Sequence, residues 1–510
     1  MEMNYAKTVE KWGTLEVAVK GPKEGNPFCD QWIKGTFECK NEKKTVDGFY
    51  DGDGVYKVRF MPSFVDTYTF KIESSFQTES AEEVSGSFEA VAPSADNHGP
   101  VRVVGTYYLA YEDGKPYHCI GTTCYVWNLQ NEKLQEQTLK TLEENAFNKI
   151  RFCIFPKHYD YNLHEPITYP YEGTPCDTSE LNENNFAEYN GCAPGNDWDF
   201  TRFNPAHFQH IEECIKKLMA LGIQADLIVM HPYDRWGFSM MKAEDDDRYW
   251  KYVLARFSAY RNVWWSLANE YDLMHEKTLA DWERYAAIIC EKDPYHHLRS
   301  IHNCKAYYDY NLPWVTHCSI QRTETYRSSE LVNEWREKYH KPVVLDEICY
   351  EGNIQFGWGN ISGEEMTRRF WEAFCRGGYP GHGETYLSPD RILWWSHGGV
   401  LHGTSPERIK FLAKIMEEIP GLGVEPMPCK WDEVACRAAG FPARKDYFIY
   451  YYTFMRPSFR DFYFDDTTEY QVEIIDTWEM TITDGGIHKG QFRVQLPGKE
   501  YIAVRIKAVK

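Results

Sequence analysis

No apolar run in this 510-residue sequence approaches the roughly 18 to 20 residues needed to cross a bilayer, so no membrane-spanning helix is expected. The opening MEMNYAKTVEKWG has no basic segment followed by an apolar one and does not read as a secretory signal. There is no CxxC, which sets aside zinc ribbons and thioredoxin-type redox sites. Fifteen cysteines, an odd number without close pairs, fit a reducing cytoplasm, which is the expected location. Basic charge is in deficit, with 56 Lys and Arg against 76 Asp and Glu, a net charge of −20. Neutralising phosphates needs a basic surface, so neither nucleic acid nor an anionic membrane is an expected partner. GxGxxG and GxxxxGK[ST] are absent, leaving a nucleotide site without support. The GxSxG elbow of serine hydrolases is missing too. His296 and His297 are adjacent rather than at ligand spacing, so no metal and no cofactor is expected. Internal repeats and low-complexity tracts are also lacking.

What remains is an ordinary soluble composition, 43% hydrophobic and 26% charged, long enough for about three domains or one large barrel with appendages. Aromatic residues reach 16%, most of them expected in cores. Residues 1–92 alternate with period two at 15–21, 35–40, 55–62, 67–74 and 87–93, as a β-sandwich does. Asp51-Gly52-Asp53-Gly54 reads as a hairpin turn; its aspartates could ligate calcium, but the twelve-residue loop with a final Glu is absent. A Pro/Gly-rich connector follows at 93–101. Over 102–420, short apolar runs alternate with amphipathic segments. Strands are expected at 119–124, 149–155, 223–230, 263–269, 298–304, 314–321, 342–348 and 391–396. Eight strands separated by helices suggest a (β/α)8 barrel, although a doubly wound sheet shares the alternation. Residues 421–510 return to strand patterning, a second β-sandwich. The fold class is therefore α/β, a barrel flanked by two all-β domains. The flanking domains could bind glycan, pack the barrel or mediate oligomers.

Barrel active sites lie at the C-terminal ends of the strands. The fourth strand ends in Asn269-Glu270 and the seventh in Asp346-Glu347. These strands face each other across the mouth, so two carboxylates could flank one substrate, as glycoside cleavage requires. Alternation alone groups Glu347 with Val343 and Leu345 and Glu270 with Ser266 and Ala268, and it sends Asn269 and Asp346 to the other face. Glu351 is the rival nucleophile. Arg151 on strand two suits either the nucleophile's support or a core ion pair. His231, Tyr233 and Asp234 after strand three could line the pocket or simply pack a loop. His317 and Gln321, near strand six, are candidates to support the nucleophile. Trp127 after strand one, and one of the adjacent Trp394 and Trp395, could stack on a sugar ring. The stretch 156–204 after strand two is a long loop expected to wall the pocket.

The runs VWWSLANE (263–270), KPVVLDE (341–347) and ILWWS (392–396) resemble the strand-four, strand-seven and strand-eight motifs of glycoside hydrolase clan A. The resemblance implies that Glu270 is the acid/base, Glu347 the nucleophile, Asn269 a ligand of the sugar 2-hydroxyl, and a strand-eight Trp the floor of the sugar subsite. HPYDRWG (231–237) and CYEG (349–352) look like the barrel family that contains rhamnogalacturonan apiosidases. NPF-x-D (26–30), GFYDGDGVYKVRFMP (48–62) and YQVEIIDTWEMT (470–481) are similar to the β domains that flank such barrels. The implied activity is a retaining glycosidase on plant- or microbe-derived oligosaccharides, and the long loop 156–204 walling the pocket points to exo action. A transglycosidase using the same intermediate, or a non-catalytic glycan-binding protein, are the alternatives. An oligomer is possible.

Overall fold

A computed structural model describes residues 3–76 and 84–509. Short β-branched and aromatic segments dominate both ends of the chain, and each end forms sheets that are antiparallel except where Thr8–Glu10 runs parallel to Val84–Val91. At the N-terminus, Met3–Tyr5, Leu15–Lys20, Val55–Phe60 and Phe49–Tyr50 form one sheet. Thr8–Glu10, Val84–Val91, Asp66–Ser74, Ile33–Glu38 and Lys43–Asp47 form the other. Alternate side chains from the two sheets meet in a common core, where Phe37 stacks on Phe60 at 4.3 Å. The DGDG segment is the turn between Phe49–Tyr50 and Val55–Phe60, with Gly52, Asp53 and Gly54 all at positive φ. Its first aspartate docks the sheets on the barrel: Asp51 pairs with Lys57 at 2.8 Å and with Arg256 of a barrel helix at 2.7 Å. Beside it Glu212 accepts from both Arg59 and Arg256, all three buried.

The central stretch builds eight parallel strands: Gly121–Thr123, Lys149–Cys153, Gln224–Met230, Val263–Ala268, Arg299–Ser300, Cys318–Gln321, Val343–Glu347 and Tyr379–His382. They are numbered one to eight below. Their order in the sheet is five, four, three, two, one, eight, seven, six. Strands five and six are joined by a parallel bridge between His302 and Ser319, so the barrel is nearly closed. Helices such as Glu132–Glu144, Pro205–Ala220, Ala243–Phe257, Leu279–Lys292, Gly363–Cys375 and Ser405–Glu417 cover the outside. Their apolar faces share one core with the outward residues of the strands, Val343 and Leu345 among them.

One expected strand is elsewhere. The eighth stave is Tyr379–His382, not 391–396; Trp394 and Trp395 open a short helix, Trp394–His397. The true stave, YPGH, has no apolar run to announce it. Its Gly381 is needed because a Cβ there would lie 2.9 Å from the carbonyl oxygens of Leu345 and Asp346.

The barrel interior is charged. Lys149 donates to Asp226 and Asp346, each at 2.7 Å, and Arg151 approaches the same two carboxylates at 3.5 and 3.7 Å. Asp346 therefore points into the barrel rather than outward as alternation implied. Burial alone would raise its pKa, but Lys149 and Arg151 hold it well below the carboxylate range. Two cations and two anions leave this layer neutral.

At the C-terminus, Val424–Pro426, Val434–Ala438, Tyr447–Tyr451, Ile502–Ala508, Tyr470–Asp476 and Thr481–His488 form a six-stranded sheet. Phe459–Tyr463 pairs with Gln491–Gln495 in a second, smaller sheet. The large sheet packs on the barrel through the helix Gly363–Cys375, with Trp371 5.7 Å from Tyr451.

Candidate active site

Glu270 and Glu347 line one cavity of about 480 Å3 at the C-terminal mouth of the barrel, together with Tyr125, Lys157, Tyr159, Tyr233, Gln321, Tyr350, Trp358 and Trp395. This volume lies within the range of small-molecule sites. Local backbone irregularity brings each glutamate there. Glu270 adopts φ 53°, ψ 56°, a left-handed conformation that turns the chain sharply after Asn269. Such a residue costs on the order of 1 to 3 kcal/mol and persists only where its surroundings hold it. Here Tyr233 Oη donates to one carboxylate oxygen and Gln321 Nε2 to the other at 2.5 Å. The same turn keeps Asn269 at the site, its Nδ2 3.4 Å from Glu270 and its Oδ1 3.2 Å from the Tyr125 hydroxyl. On strand seven the register against strand six slips by one residue: Ser319 faces Val344, and Gln321 faces Glu347. The extra residue swings Glu347 into the mouth although Val343 and Leu345 pack outward. Simple alternation thus fails at Glu347 and Asn269, whereas Glu270 stays on the inward side with Ser266, which meets Arg151 in the interior.

The two acids have different surroundings. Burial and the neighbouring Glu347 charge push Glu270 up to about 7. Burial raises Glu347 as well, but Arg151, Tyr125, Lys157 and Tyr350 pull against it. Tyr125 Oη donates to Glu347 Oε1, and Arg151 Nη1 stands 3.7 Å from the same oxygen. Glu347 is thus the first of the pair to ionise, and Glu270 keeps its proton near neutrality. The physical cause is a graded supply of donors to two carboxylates that share one cavity.

The remaining candidates divide. Tyr233, Gln321 and Trp395 reach the cavity, but Gln321 grips Glu270 rather than Glu347. Arg151 lies between the two expected settings, 3.5 Å from the interior Asp226 and 3.7 Å from Glu347. His317 lies at the opposite end of the barrel, against Trp264 at 5.3 Å, and does not support either acid. Trp127 is fully buried against Phe152, and Trp394 is buried with its indole nitrogen donating to Thr122 at 2.9 Å. His231 is buried behind Tyr233, 3.3 Å from the Phe155 carbonyl. Asp234 staples its own loop by accepting from Trp236, Ser239 N and Ser239 Oγ. Glu351 is not at the mouth. It caps the helix Ser405–Glu417 by accepting from Thr404 N at 2.7 Å and Ser405 N at 3.0 Å. Those bonds offset its burial and hold its pKa below the usual carboxylate value.

Sequence reasoning missed Tyr125, Lys157, Tyr159, Tyr350 and Trp358. The first three follow strands one and two in the loops that form the mouth of any such barrel, and that position was the available signal. Of the long 156–204 segment, Lys157 and Tyr159 line the cavity, while Tyr171–Thr174 and Asp197–Phe203 pair into a hairpin farther along it.

Comparison with known proteins agrees with this geometry. A family described as "Apiosidase-like, catalytic domain" matches residues 104–418, more than half of the chain. The chain belongs to this apiosidase-like family. It is a glycosidase barrel, and the two domain families matching 8–75 and 431–507, DUF5060 and DUF5605, are both described as of unknown function. A crystal structure from Bacteroides vulgatus, described as a candidate glycoside hydrolase, is 38% identical. It covers 99% of this chain and 100% of its own, with a TM-score of 0.90. A family 5 glycoside hydrolase from the same organism shares the fold at 15% identity and a TM-score of 0.60, over 80% of this chain and 94% of its own. No curated protein matches the chain.

Proposed function

We propose that this apiosidase-like protein is a retaining, exo-acting glycoside hydrolase on plant- or microbe-derived oligosaccharides. Glu347 is its nucleophile and Glu270 its acid/base. The observation that carries this reading is the pair of carboxylates in one cavity with unequal surroundings: Tyr125 and Arg151 pull Glu347 toward its ionised form, while burial and the Glu347 charge push Glu270 up to about 7. In the first half-reaction a Glu347 oxygen bonds to the anomeric carbon as the glycosidic C–O bond breaks. The departing oxygen takes the Glu270 proton. In the second, the Glu270 carboxylate removes a proton from water as that water attacks the glycosyl ester, and Glu347 leaves as carboxylate. Tyr125 steadies the nucleophile, and Asn269 stands where it can meet a sugar hydroxyl. The exo mode is supported by the aromatic walls of the cavity, where Trp358 and Trp395 lie 5.2 Å apart on one side and Tyr159 packs at 5.0 Å from Tyr233 on another.

The test is hydrolysis of a panel of aryl glycosides and plant oligosaccharides by the wild type beside Glu347→Gln. Loss of at least about 10^3-fold in turnover is expected. Azide should rescue Glu347→Ala and yield a glycosyl azide of inverted anomer. Rescue confined to Glu351→Ala, or equal turnover by wild type and Glu347→Gln, would overturn the assignment.

A further inference from the structure

Lys157 is 3% exposed, and its ammonium sits among four rings of the cavity. Nζ lies 3.6 Å from the ring centre of Tyr125, 4.3 Å from Trp395, 4.4 Å from Tyr233 and 5.2 Å from Tyr159. Among the described residues no carboxylate or other acceptor pairs directly with it. Cation–π contact with these rings lowers the cost of holding an ammonium out of bulk water. The rings are neutral, however, and do not balance its charge.

A net negative charge nearby does. The layer beneath is already balanced, with Lys149 and Arg151 matched by Asp226 and Asp346. Above it, Glu270 and Glu347 sharing one proton carry a single negative charge, and both act on Lys157 to favour its charged form. Two of the caging rings are those of the tyrosines that hold the acids: Tyr125 donates to Glu347, and Tyr233 donates to Glu270. The ammonium thus packs on the faces of the two rings whose hydroxyls hold the acids.

We propose that Lys157 is a positioning residue, the fixed counter-ion of the carboxylate pair in both halves of the reaction. The inference rests on the double-displacement reading above. Before attack the negative charge is on Glu347. Once Glu347 has bonded to the anomeric carbon and Glu270 has passed its proton to the departing oxygen, the same single charge is on Glu270. The pair never changes its total, so a cation held against the tyrosines of both acids serves both states without moving. Preorganised charge of this kind needs no rearrangement at the moment of reaction.

The charged and titratable groups facing Lys157 come from several elements. Arg151 and Cys153 are on strand two, Glu270 follows strand four, and Glu347 ends strand seven. His231, after strand three, is kept neutral by burial and by Lys157 itself, its pKa pulled down to about 3. His397, in the short helix after strand eight, is likewise lowered by burial, to about 4. Neither histidine competes with Lys157 as a cation near neutral pH. Burial draws the ammonium down to about 8, so it is charged where Glu270 is protonated.

The deciding experiment is a carboxyl titration of full-length protein labelled with 13C-glutamate, with the two signals assigned through Glu270→Gln and Glu347→Gln. In Lys157→Met both carboxyls should titrate about one pH unit or more higher than in the wild type, while Lys157→Arg should stay close to it. Lys157→Gln, which fills the cage with a neutral amide, carries the same expectation as Lys157→Met. On any aryl glycoside the wild type cleaves, both limbs of the kcat/KM profile should rise with the carboxyls. Unmoved titrations in the neutral variants, or movement of one carboxyl alone, would overturn the counter-ion. If instead Glu347→Gln hydrolysed as well as the wild type, the double-displacement reading would fall, and the titrations would still report on Lys157 separately.

Discussion

Glu270→Gln should cost activity and gain stability, and the gain should depend on pH. The displacement of Glu270 from 4.5 to about 7 comes first from burial and then from the Glu347 charge. At about 1.4 kcal/mol per decade, ionising this group is about 3 kcal/mol harder in the folded protein than in the unfolded chain. Between the two values the folded protein binds the extra proton, so stability falls as pH rises through that window. The full penalty is present above about pH 7 and absent below about pH 4.5. Glutamine carries no charge and escapes the penalty. Its carbonyl can accept from Tyr233, and Gln321 can turn its own amide to meet the new NH2. The variant should therefore resist urea better than the wild type at pH 8.5, by up to about 3 kcal/mol, and the advantage should shrink toward zero at pH 4.5. Tryptophan fluorescence in parallel urea series would read it. An offset between the two proteins that is the same at both pH values would refute the reasoning, because it would mean that Glu270 titrates alike in folded and unfolded chains.

Three further outcomes follow from the contacts. Tyr125→Phe removes the hydroxyl that donates to Glu347 and should lower kcat about 10^2-fold, with the acid limb of the kcat/KM profile moved to higher pH; steady-state rates across pH measure both. Glu351→Gln should leave kcat near that of the wild type while lowering the unfolding free energy by about 1 to 3 kcal/mol in urea denaturation, since Glu351 caps a helix rather than facing substrate. Glu212→Ala strands the buried Arg59 and Arg256 between the N-terminal sheets and the barrel and should destabilise by about 3 to 5 kcal/mol, visible in urea denaturation.

Strand-end chemistry was legible in the sequence because it is local. ANE closes an apolar run at Glu270 and LDE closes another at Glu347, and strands four and seven of a parallel barrel must face one another. The alternating patterns at both ends of the chain announced sheets for the same reason, since burial of one face requires period two. The eighth stave was not legible. A strand that needs glycine for close approach and a proline in its middle carries no hydrophobic period, while ILWWS, apolar but for Ser396, runs into a short helix that begins at Trp394.

Which way each acid points was decided only in three dimensions. The left-handed backbone at Glu270 is accompanied by a bond from Gln321, 51 residues away, the register slip beside Glu347 lies against strand six, and the Glu347 carboxylate is held by Tyr125, 222 residues away. Alternation read within a single strand cannot contain them. The protonation of the pair is tertiary in the same sense, because a carboxyl's pKa answers to burial and to charges brought near by folding. Lys157 is the sharpest case: in sequence it is one lysine in a polar loop, and its meaning comes from four rings and two carboxylates gathered from six separate segments of the chain. Sequence alone determined the residues, the spacing of the strands and therefore the chemistry available at the mouth. The tertiary structure decided which acid holds the proton, because only it sets the distance between charges and the water left around them.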